Sequence, residues 1–295
     1  MGHTHDGIDW TTRLAALRRA DDLEASVNQN VADRLVGLLD HQPRPVVVDL
    51  GAGAGGMSAA LAGALGGRDG GRVVLVDAVP DLLDAATTHT ATIAAGTSAT
   101  VEVEPVQVDA ASEQLAELLP AADLVWASRV VHHLPDQQRA IERLTDVLAP
   151  GGWLALGEGG LRTRCLPWDL GIGEPGLADR LTAARDEWFV RMRSEMPDAV
   201  RLPVGWNRAL SDAGLTDVFS FSYLIDLPAP ADEAVRLSVV DWLTWMSDVG
   251  DDALNESDRR AITRLLDPAD DAYVGNRDDV FLLGASTVYL GRKAR

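Results

Sequence analysis

The sequence predicts a doubly wound α/β fold, with a mainly parallel seven-stranded sheet and helical additions at the N-terminus and in the C-terminal half. Between residues 46 and 157, five short apolar segments alternate with segments of helical periodicity. Strands that alternate with helices at this spacing form parallel sheets. Beyond residue 160 the alternation ends, and two late strand-like segments, Val218 to Ile225 and Val280 to Leu290, accompany helical stretches.

The individual elements follow from the spacing of apolar residues. Residues 12–39 are predicted as two helices that are broken near Asp21 and Asp22. Pro105 lies within the third strand and favours an edge position, because proline cannot donate a hydrogen bond to a neighbouring strand. The core strands are predicted at Val46 to Leu50, Arg72 to Val76, Val101 to Val108, Asp123 to Ala127 and Trp153 to Gly157, and the helices between them at Met57 to Leu65, Pro80 to Ala95, Ser112 to Leu119 and Asp136 to Leu148.

Composition narrows the class of protein. The chain has 295 residues, of which 46% are hydrophobic, and no run of 18 apolar residues that could span a membrane. The N-terminal residues MGHTHDGIDW lack the basic start and apolar stretch of a signal peptide. The single cysteine, Cys165, excludes an internal disulfide and fits a reducing compartment. The prediction is a cytoplasmic protein without a membrane partner.

The charge balance argues against a nucleic-acid partner. The chain has 45 acidic and 26 basic residues, with a net charge of −19 at pH 7. Proteins that bind nucleic acids use Lys and Arg to replace counterions along the phosphates, and the sequence has no strong basic patch. No His, Cys and Asp set has the spacing of metal ligands. The predicted partner is a small molecule, bound to a monomer or homodimer without a metal.

A glycine-rich loop follows the first strand. Gly51, Gly53 and Gly56 satisfy the G-x-G-x-x-G fingerprint of dinucleotide sites. Asp77 lies 21 residues beyond Gly56, near the place expected of a ribose-binding acid. The loop therefore indicates a nucleotide-like ligand, and a nicotinamide-dependent oxidoreductase is one interpretation.

Asp49, two residues before the first glycine, favours a different cofactor. A carboxylate there would repel a pyrophosphate, by about 3 kcal/mol for each charge pair at about 6 Å and an effective dielectric of about 20. S-adenosylmethionine has no phosphate and carries an ammonium and a sulfonium group, both of which a carboxylate would attract. The charge of Asp49 therefore favours S-adenosylmethionine over a dinucleotide.

The segment from Val46 to Gly55 resembles motif I of the class I S-adenosylmethionine-dependent methyltransferases, of the bacterial small-molecule type. Four further segments resemble the family's motifs in the family's order, and the resemblance covers residues 45 to 160. These segments are Val73 to Ala78, Val106 to Ala110, Asp123 to Ser128 with the following Val131 to Asp136, and Leu148 to Leu154.

The resemblance implies a Rossmann-like fold, S-adenosylmethionine as the cofactor and S-adenosylhomocysteine as the product. It also implies roles for particular residues: the acid of the second-strand motif binds the ribose hydroxyls, and the acid of the third-strand motif meets the adenine amino group. The cofactor-binding residues that it implies are Asp49, Gly51, Ala52, Gly53, Gly55, Asp77, Ala78, Asp109, Ala110, Ser128 and Arg129.

Two histidines follow the fourth strand, at the sheet edge where such folds bind ligands. If the acceptor is a hydroxyl, a histidine is suited to act as general base near neutral pH. Adjacent residues cannot easily point the same way. We therefore expect His132 to lie near the cofactor as the catalytic candidate and His133 to pack or line the substrate pocket. In the family this segment also supports the loop without catalysing anything, and that alternative stays open.

The methyl acceptor is expected outside the core sheet. Members of the family place it under helical additions, which here implies an N-terminal helical lid in residues 1–42, a cofactor-binding core in residues 43–160, and substrate-binding insertions with the last strands in residues 161–295. Aromatic rings supply flat apolar area for a hydrophobic or aromatic acceptor. The candidate pocket residues are Trp10, His133, Trp168, Trp188, Trp206 and Trp242.

Three functional interpretations remain. The first is methyl transfer to a hydroxyl or amine of a small molecule, for which the resemblance also suggests specialised metabolism. The second is a protein that binds S-adenosylmethionine but supports a reaction other than methyl transfer. The third is the NAD(P)-dependent oxidoreductase, supported by the glycine fingerprint and opposed by Asp49.

Overall fold

The computed structural model describes residues 8–39 and 42–295. The chain forms two compact units. The first consists of Met1–Gly159, Met196–Tyr223 and Ser286–Arg295, and the second of Gly160–Glu195 and Leu224–Ala285.

The described residues form a seven-stranded sheet in the order β3-β2-β1-β4-β5-β7-β6. The pairs β1–β2, β1–β4, β2–β3 and β4–β5 are parallel. The strands are β1 Val46–Leu50, β2 Gly71–Asp77, β3 Val101–Gln107, β4 Ala122–Ser128, β5 Leu148–Arg164, β6 Thr216–Leu227 and β7 Leu282–Arg292. This sheet confirms the predicted doubly wound fold, and Pro105 lies on its edge strand β3, as predicted.

Helices cover both faces of the parallel strands. Successive residues of a strand point to opposite faces, so Val47 packs with Leu35 and Leu61 in one apolar layer, and Val48 packs with Ile141 in the other. The helices are α1 Leu14–Gly37, α2 Gly56–Gly66, α3 Pro80–Ala95, α4 Leu115–Leu118, α5 Gln137–Val147, α6 Leu177–Glu195, α7 Trp206–Asp212, α8 Glu233–Gly250 and α9 Glu256–Leu266.

Helix α1 corrects one prediction. The break expected at Asp21 and Asp22 is absent, and the helix continues from Leu14 to Gly37. An aspartate can end a helix when its side chain binds the nearby backbone. The Asp21 carboxylate instead accepts a hydrogen bond from the distant Gly56 N–H, at 2.8 Å.

Helix α4 corrects a second prediction. It covers four residues, whereas the sequence predicted a helix of eight residues from Ser112 to Leu119. Polar side chains bind the backbone in front of it: Asp109 accepts from the Ala111 N–H at 2.7 Å, and Ser112 accepts from the Gln114 N–H at 3.2 Å. These local turns compete with the helix, so it begins only at Leu115.

The second unit has its own packed helices. Leu181 of α6 and Val239 and Leu243 of α8 are fully buried. The Arg180 guanidinium binds the buried Asp258 carboxylate through Nε at 2.8 Å and Nη2 at 2.7 Å. Among residues 8–39 and 42–295, no helix combines the length and apolar character needed to cross a membrane.

Candidate functional site

A cavity of about 360 Å³ lies at the carboxyl ends of the parallel strands in the first unit. Its wall is built from the loops after β1, β2, β3 and β4, from one face of α1 and from a side chain of β6. Strand β1 lies between β2 and β4, so the sheet order reverses direction there. Open α/β sheets bind ligands at such switch points.

The structure brings ten of the eleven predicted cofactor residues to this cavity. They are Asp49, Gly51, Ala52, Gly53, Asp77, Ala78, Asp109, Ala110, Ser128 and Arg129. Gly55 is not among the wall residues. A Cβ at Gly55 would lie 2.6 Å from the Ala86 Cα, so this glycine allows the loop to approach α3.

The glycine loop is fixed to the end of β2. The Gly51 and Ala52 N–H groups donate to the Val76 carbonyl at 2.7 and 3.0 Å, and Gly53 N–H donates to Asp77 Oδ2 at 3.0 Å. Gly51 has a φ of 73°, which favours glycine, and a Cβ there would lie 2.3 Å from Val130 Cγ2. The backbone therefore forms a preorganised wall close to the position of a ligand.

Two of the wall carboxylates are almost completely buried. Asp49 is 2% exposed and accepts a hydrogen bond from the Ser58 hydroxyl. Burial raises its pKa to about 7, against the hydroxyl's opposing effect. Burial also raises the pKa of Asp77, which accepts from the Val79 N–H at 2.9 Å as well as from Gly53. Both groups would be stabilised as carboxylates by a cationic or hydrogen-bonding ligand.

One face of α1 contributes acidic residues that the sequence analysis missed. Residues at positions 17, 21, 24 and 28 line the cavity, and a spacing of three and four places them on one helix face. Burial raises the pKa of Asp21 to about 6 and raises the pKa of Glu24, while the Arg129 charge lowers both. The spacing of Asp21 and Glu24 is compatible with one helix face, but Asp21 and Asp22 also predict a helix break, which the structure does not have.

Tyr223 of β6 is another wall residue that was missed. Burial raises the pKa of its phenol, and the Arg129 charge opposes that effect. Arg129 itself has a φ of 57°, in the left-handed region that is strained for a non-glycine residue. Its N–H donates to the Gly157 carbonyl at 2.9 Å, which holds this conformation at the end of β4.

His133 lies where a residue that lines the pocket was expected, whereas His132, the catalytic candidate expected near the cofactor, is not among the wall residues. His133 lines the cavity and its ring meets Trp10 edge-on, with centroids 6.2 Å apart. His132 turns to Glu158, with Nδ1 2.7 Å from Oε2. Glu158 is 2% exposed and also accepts from the Val131 N–H at 3.0 Å. The Glu158 carboxylate, within β5, thus holds the loop after β4, and no local pattern in the sequence indicated it.

The other predicted pocket residues have varied surroundings. Trp10 joins His133 on the cavity wall. Trp206 packs against the apolar layer that contains Ile141. The remaining three belong to the second unit: Trp168 is 71% exposed, Trp188 meets the Trp245 ring at 6.0 Å, and Trp242 is half-buried on α8.

Residues 48–154 match the family model described as a methyltransferase domain. The match begins in β1 and ends in β5, so it contains the glycine loop and the loops after β2, β3 and β4 that line the cavity, whereas α1 and Tyr223 of β6 lie outside it. It confirms the predicted family resemblance and supports S-adenosylmethionine as the cofactor. A sequence search of curated proteins finds no match.

Solved structures resemble the chain at low sequence identity. A candidate methyltransferase from Bacillus halodurans C-125 is 18% identical, covers 88% of this chain and 99% of its own, and has a TM-score of 0.48. The YcgJ protein from Bacillus subtilis is 17% identical, with coverages of 92% and 99% and a TM-score of 0.47. The [4+2]-cyclase SpnF is 16% identical, with coverages of 90% and 81% and a TM-score of 0.45. Similarity of this degree identifies no substrate or reaction.

Proposed function

We propose that the chain is a class I S-adenosylmethionine-dependent methyltransferase that transfers the methyl group to an amine or hydroxyl of a small, hydrophobic or aromatic molecule. The match of residues 48–154 to a methyltransferase domain supports this proposal. One observation carries the proposal. Asp49, Asp77 and Asp109 follow one another at the ends of three strands and converge on a single cavity. Their order along the chain is that of the family's cofactor motifs.

The residues present fit this cofactor. Bound S-adenosylmethionine supplies a methyl group on a positively charged sulfur, which leaves as a neutral thioether. Asp49 offers a desolvated carboxylate that a positive charge would stabilise. Asp77 is oriented by two backbone N–H groups, and its oxygens remain suited to accept from hydroxyls. The contribution of the protein is alignment and exclusion of water.

We take the aromatic and acidic part of the cavity wall as the acceptor side. Trp10, Tyr223 and His133 contribute rings to the wall, and Glu24 adds a carboxylate to it. Rings with a neighbouring carboxylate favour a substrate that is apolar but carries a positive or neutral polar group. This composition supports an amine acceptor more than an anionic one. A role in specialised metabolism is compatible with such a substrate.

We assign the candidate base to the histidine pair after β4. His133 lies on the cavity wall, and Glu158 orients His132, whose ring centroid is 4.0 Å from that of His133. If a base is used, His133→Gln should reduce kcat by about 100-fold with cofactor affinity retained. His132→Gln is the comparison, because it should act only through the position of the loop.

We propose that residues 1–42 form a lid over the cavity. One face of α1, which belongs to this segment, lines the cavity. A role of residues 161–295 in acceptor binding stays a prediction.

Product analysis is the direct test. The protein is incubated with methyl-labelled S-adenosylmethionine and matched sets of aromatic amines, phenols and carboxylates, and the products are identified by mass spectrometry. Label transfer to an amine or phenol is expected, with the amines favoured.

Two other functions give different results. Tight S-adenosylmethionine binding without label transfer to any acceptor would favour a reaction other than methyl transfer. Thermal stabilisation by NAD and not by S-adenosylmethionine would contradict the methyltransferase assignment itself.

A further inference from the structure

The first N–H of α2 already has an anionic partner within the chain. In nucleotide-binding α/β folds, the helix after the glycine loop directs its free N–H groups at a phosphate. Here the Gly56 N–H, the first of that helix, donates to Asp21 Oδ2 at 2.8 Å. The chain's own carboxylate therefore occupies the position where a pyrophosphate would bind.

The approach of Asp21 also explains the third glycine of the fingerprint. A Cβ at Gly56 would lie 2.3 Å from the Asp21 Cγ and 2.5 Å from its Oδ1. Any larger residue would displace the carboxylate. The glycine that suggested a dinucleotide in the sequence is thus required by an internal acid.

Asp21 is held in place by the helix that carries it. Helix α1 is continuous through this position, and its later residues Val31, Ala32 and Leu35 are buried in the core. The carboxylate is therefore a fixed part of the cavity wall and not a mobile surface side chain. A phosphate brought to the same N–H would meet a negative charge at hydrogen-bonding distance.

We propose that Asp21 is a specificity-determining residue, which excludes phosphate-bearing nucleotides from the cavity by occupying the N-terminus of α2 with the chain's own negative charge. Nucleosides whose 5′ substituent has no phosphate are admitted. This inference rests on the proposed function in taking the cavity as an adenosyl site. It explains how a loop with a dinucleotide fingerprint serves a different cofactor.

The test compares adenosine with adenosine 5′-monophosphate, because the two ligands differ only in the phosphate. Dissociation constants are measured by calorimetry at about pH 8, where a group with a pKa of about 6 is ionised. The proteins are the wild-type chain and the variants Asp21→Ala and Asp21→Asn. The matched control is Asp22→Asn, which makes the same charge change at the exposed neighbouring residue.

The wild-type chain should bind the monophosphate at least about tenfold more weakly than adenosine. Asp21→Ala should lower this ratio by about tenfold or more, since it removes both the charge and the occupant of the site. Asp21→Asn keeps an oxygen for the Gly56 N–H, so its ratio of dissociation constants should lie between those of wild type and Asp21→Ala. Asp21→Asn also serves as the test if the alanine variant does not fold. Asp22→Asn should keep the wild-type ratio.

An equal ratio in wild type, Asp21→Ala and Asp21→Asn would overturn the role of Asp21 and leave the methyltransferase proposal intact. Absence of adenosine binding to the wild-type chain would instead overturn the assignment of the cavity, and the role of Asp21 with it.

Discussion

Carboxylates in the two units have opposite surroundings. In the first unit, Asp21 and Asp49 lie on the cavity wall, accept hydrogen bonds from an N–H and a hydroxyl, and have pKa values raised by burial. In the second unit, Asp270 and Asp279 bind the guanidinium groups of nearby arginines. These arginines lower the pKa of Asp279, and lower that of Asp270 to about 2.

These surroundings distinguish carboxylates whose charge is compensated within the chain from carboxylates whose charge is available to a ligand. A carboxylate that is paired within the chain has its charge compensated and offers little to a ligand. A carboxylate that is desolvated beside a cavity is unfavourable in the free protein and becomes favourable when a cation or donor binds. Aspartate side chains are therefore paired with arginines in the second unit, and in the first unit they are desolvated beside a cavity, where a ligand could compensate their charge.

The largest expected effect breaks a pair in the second unit. Arg180→Met leaves the buried Asp258 carboxylate without its guanidinium partner, which should cost about 3 kcal/mol of unfolding free energy. Chemical denaturation monitored by circular dichroism measures the loss. A matched change at the exposed pair, Arg208→Met, should leave the free energy of unfolding almost unchanged, because exposed ion pairs contribute little. Equal losses in both variants would contradict a special role for the buried pair.

The second prediction removes a charge that is available to a ligand. Asp49→Asn keeps an oxygen for the Ser58 hydroxyl but cannot attract a cation, so the affinity for S-adenosylmethionine should fall by about 100-fold. Calorimetry measures the change, and Asp270→Asn in the second unit is the control. If Asp49→Asn bound as tightly as the control, the charge argument that separates this cofactor from dinucleotides would fail.

Residues of the site that depend on short sequence segments could be predicted from the sequence. The predicted acids at Asp49, Asp77 and Asp109 follow strands with clear apolar patterns, so both the strand and its end could be located. Helix α3 has the predicted bounds for a similar reason, since Pro80 at its first position and the periodicity after it are local signals.

The missed residues depend on contacts between distant segments. Asp21 meets Gly56 across 35 positions, and Glu158 meets His132 across 26. Periodicity shows that Asp21 and Glu24 share a helix face but not what that face meets. Tyr223 likewise belongs to a strand whose place in the sheet is fixed only by tertiary pairing. Which of two adjacent histidines faces a cavity also depends on a partner, here Glu158, that no local pattern reveals.

The third prediction concerns stability without ligand. Because the pKa of Asp49 is about 7 in the folded chain and about 3.8 when exposed, ionisation is disfavoured by folding. The free energy of unfolding is therefore highest below about pH 4, where Asp49 is protonated in both states. It falls as the pH rises to about 7, because the unfolded chain ionises first. Asp49→Asn should therefore raise the stability of the free protein at pH 8 by about 2 kcal/mol, and by much less at pH 4. Thermal unfolding at both pH values measures this, and a variant less stable at pH 8 would contradict it.

The smallest expected effect is the pH dependence of the affinity for S-adenosylmethionine. Cation binding requires the Asp49 carboxylate, so below pH 7 the group must first lose a proton, and Asp21 with its pKa of about 6 acts in the same direction. The affinity for S-adenosylmethionine should therefore rise by about tenfold from pH 5.5 to pH 7, a range in which the ligand's own ammonium keeps its proton. Calorimetry in buffers of different ionisation enthalpy should also detect proton release on binding at pH 6.

Two variants serve as controls. In Asp49→Asn the rise in affinity with pH should shrink to the part that Asp21 contributes. Asp270→Asn should keep the full pH dependence, because the pKa of Asp270 lies far below this range. A wild-type affinity independent of pH would mean that the buried carboxylates do not face the positive charge of the cofactor.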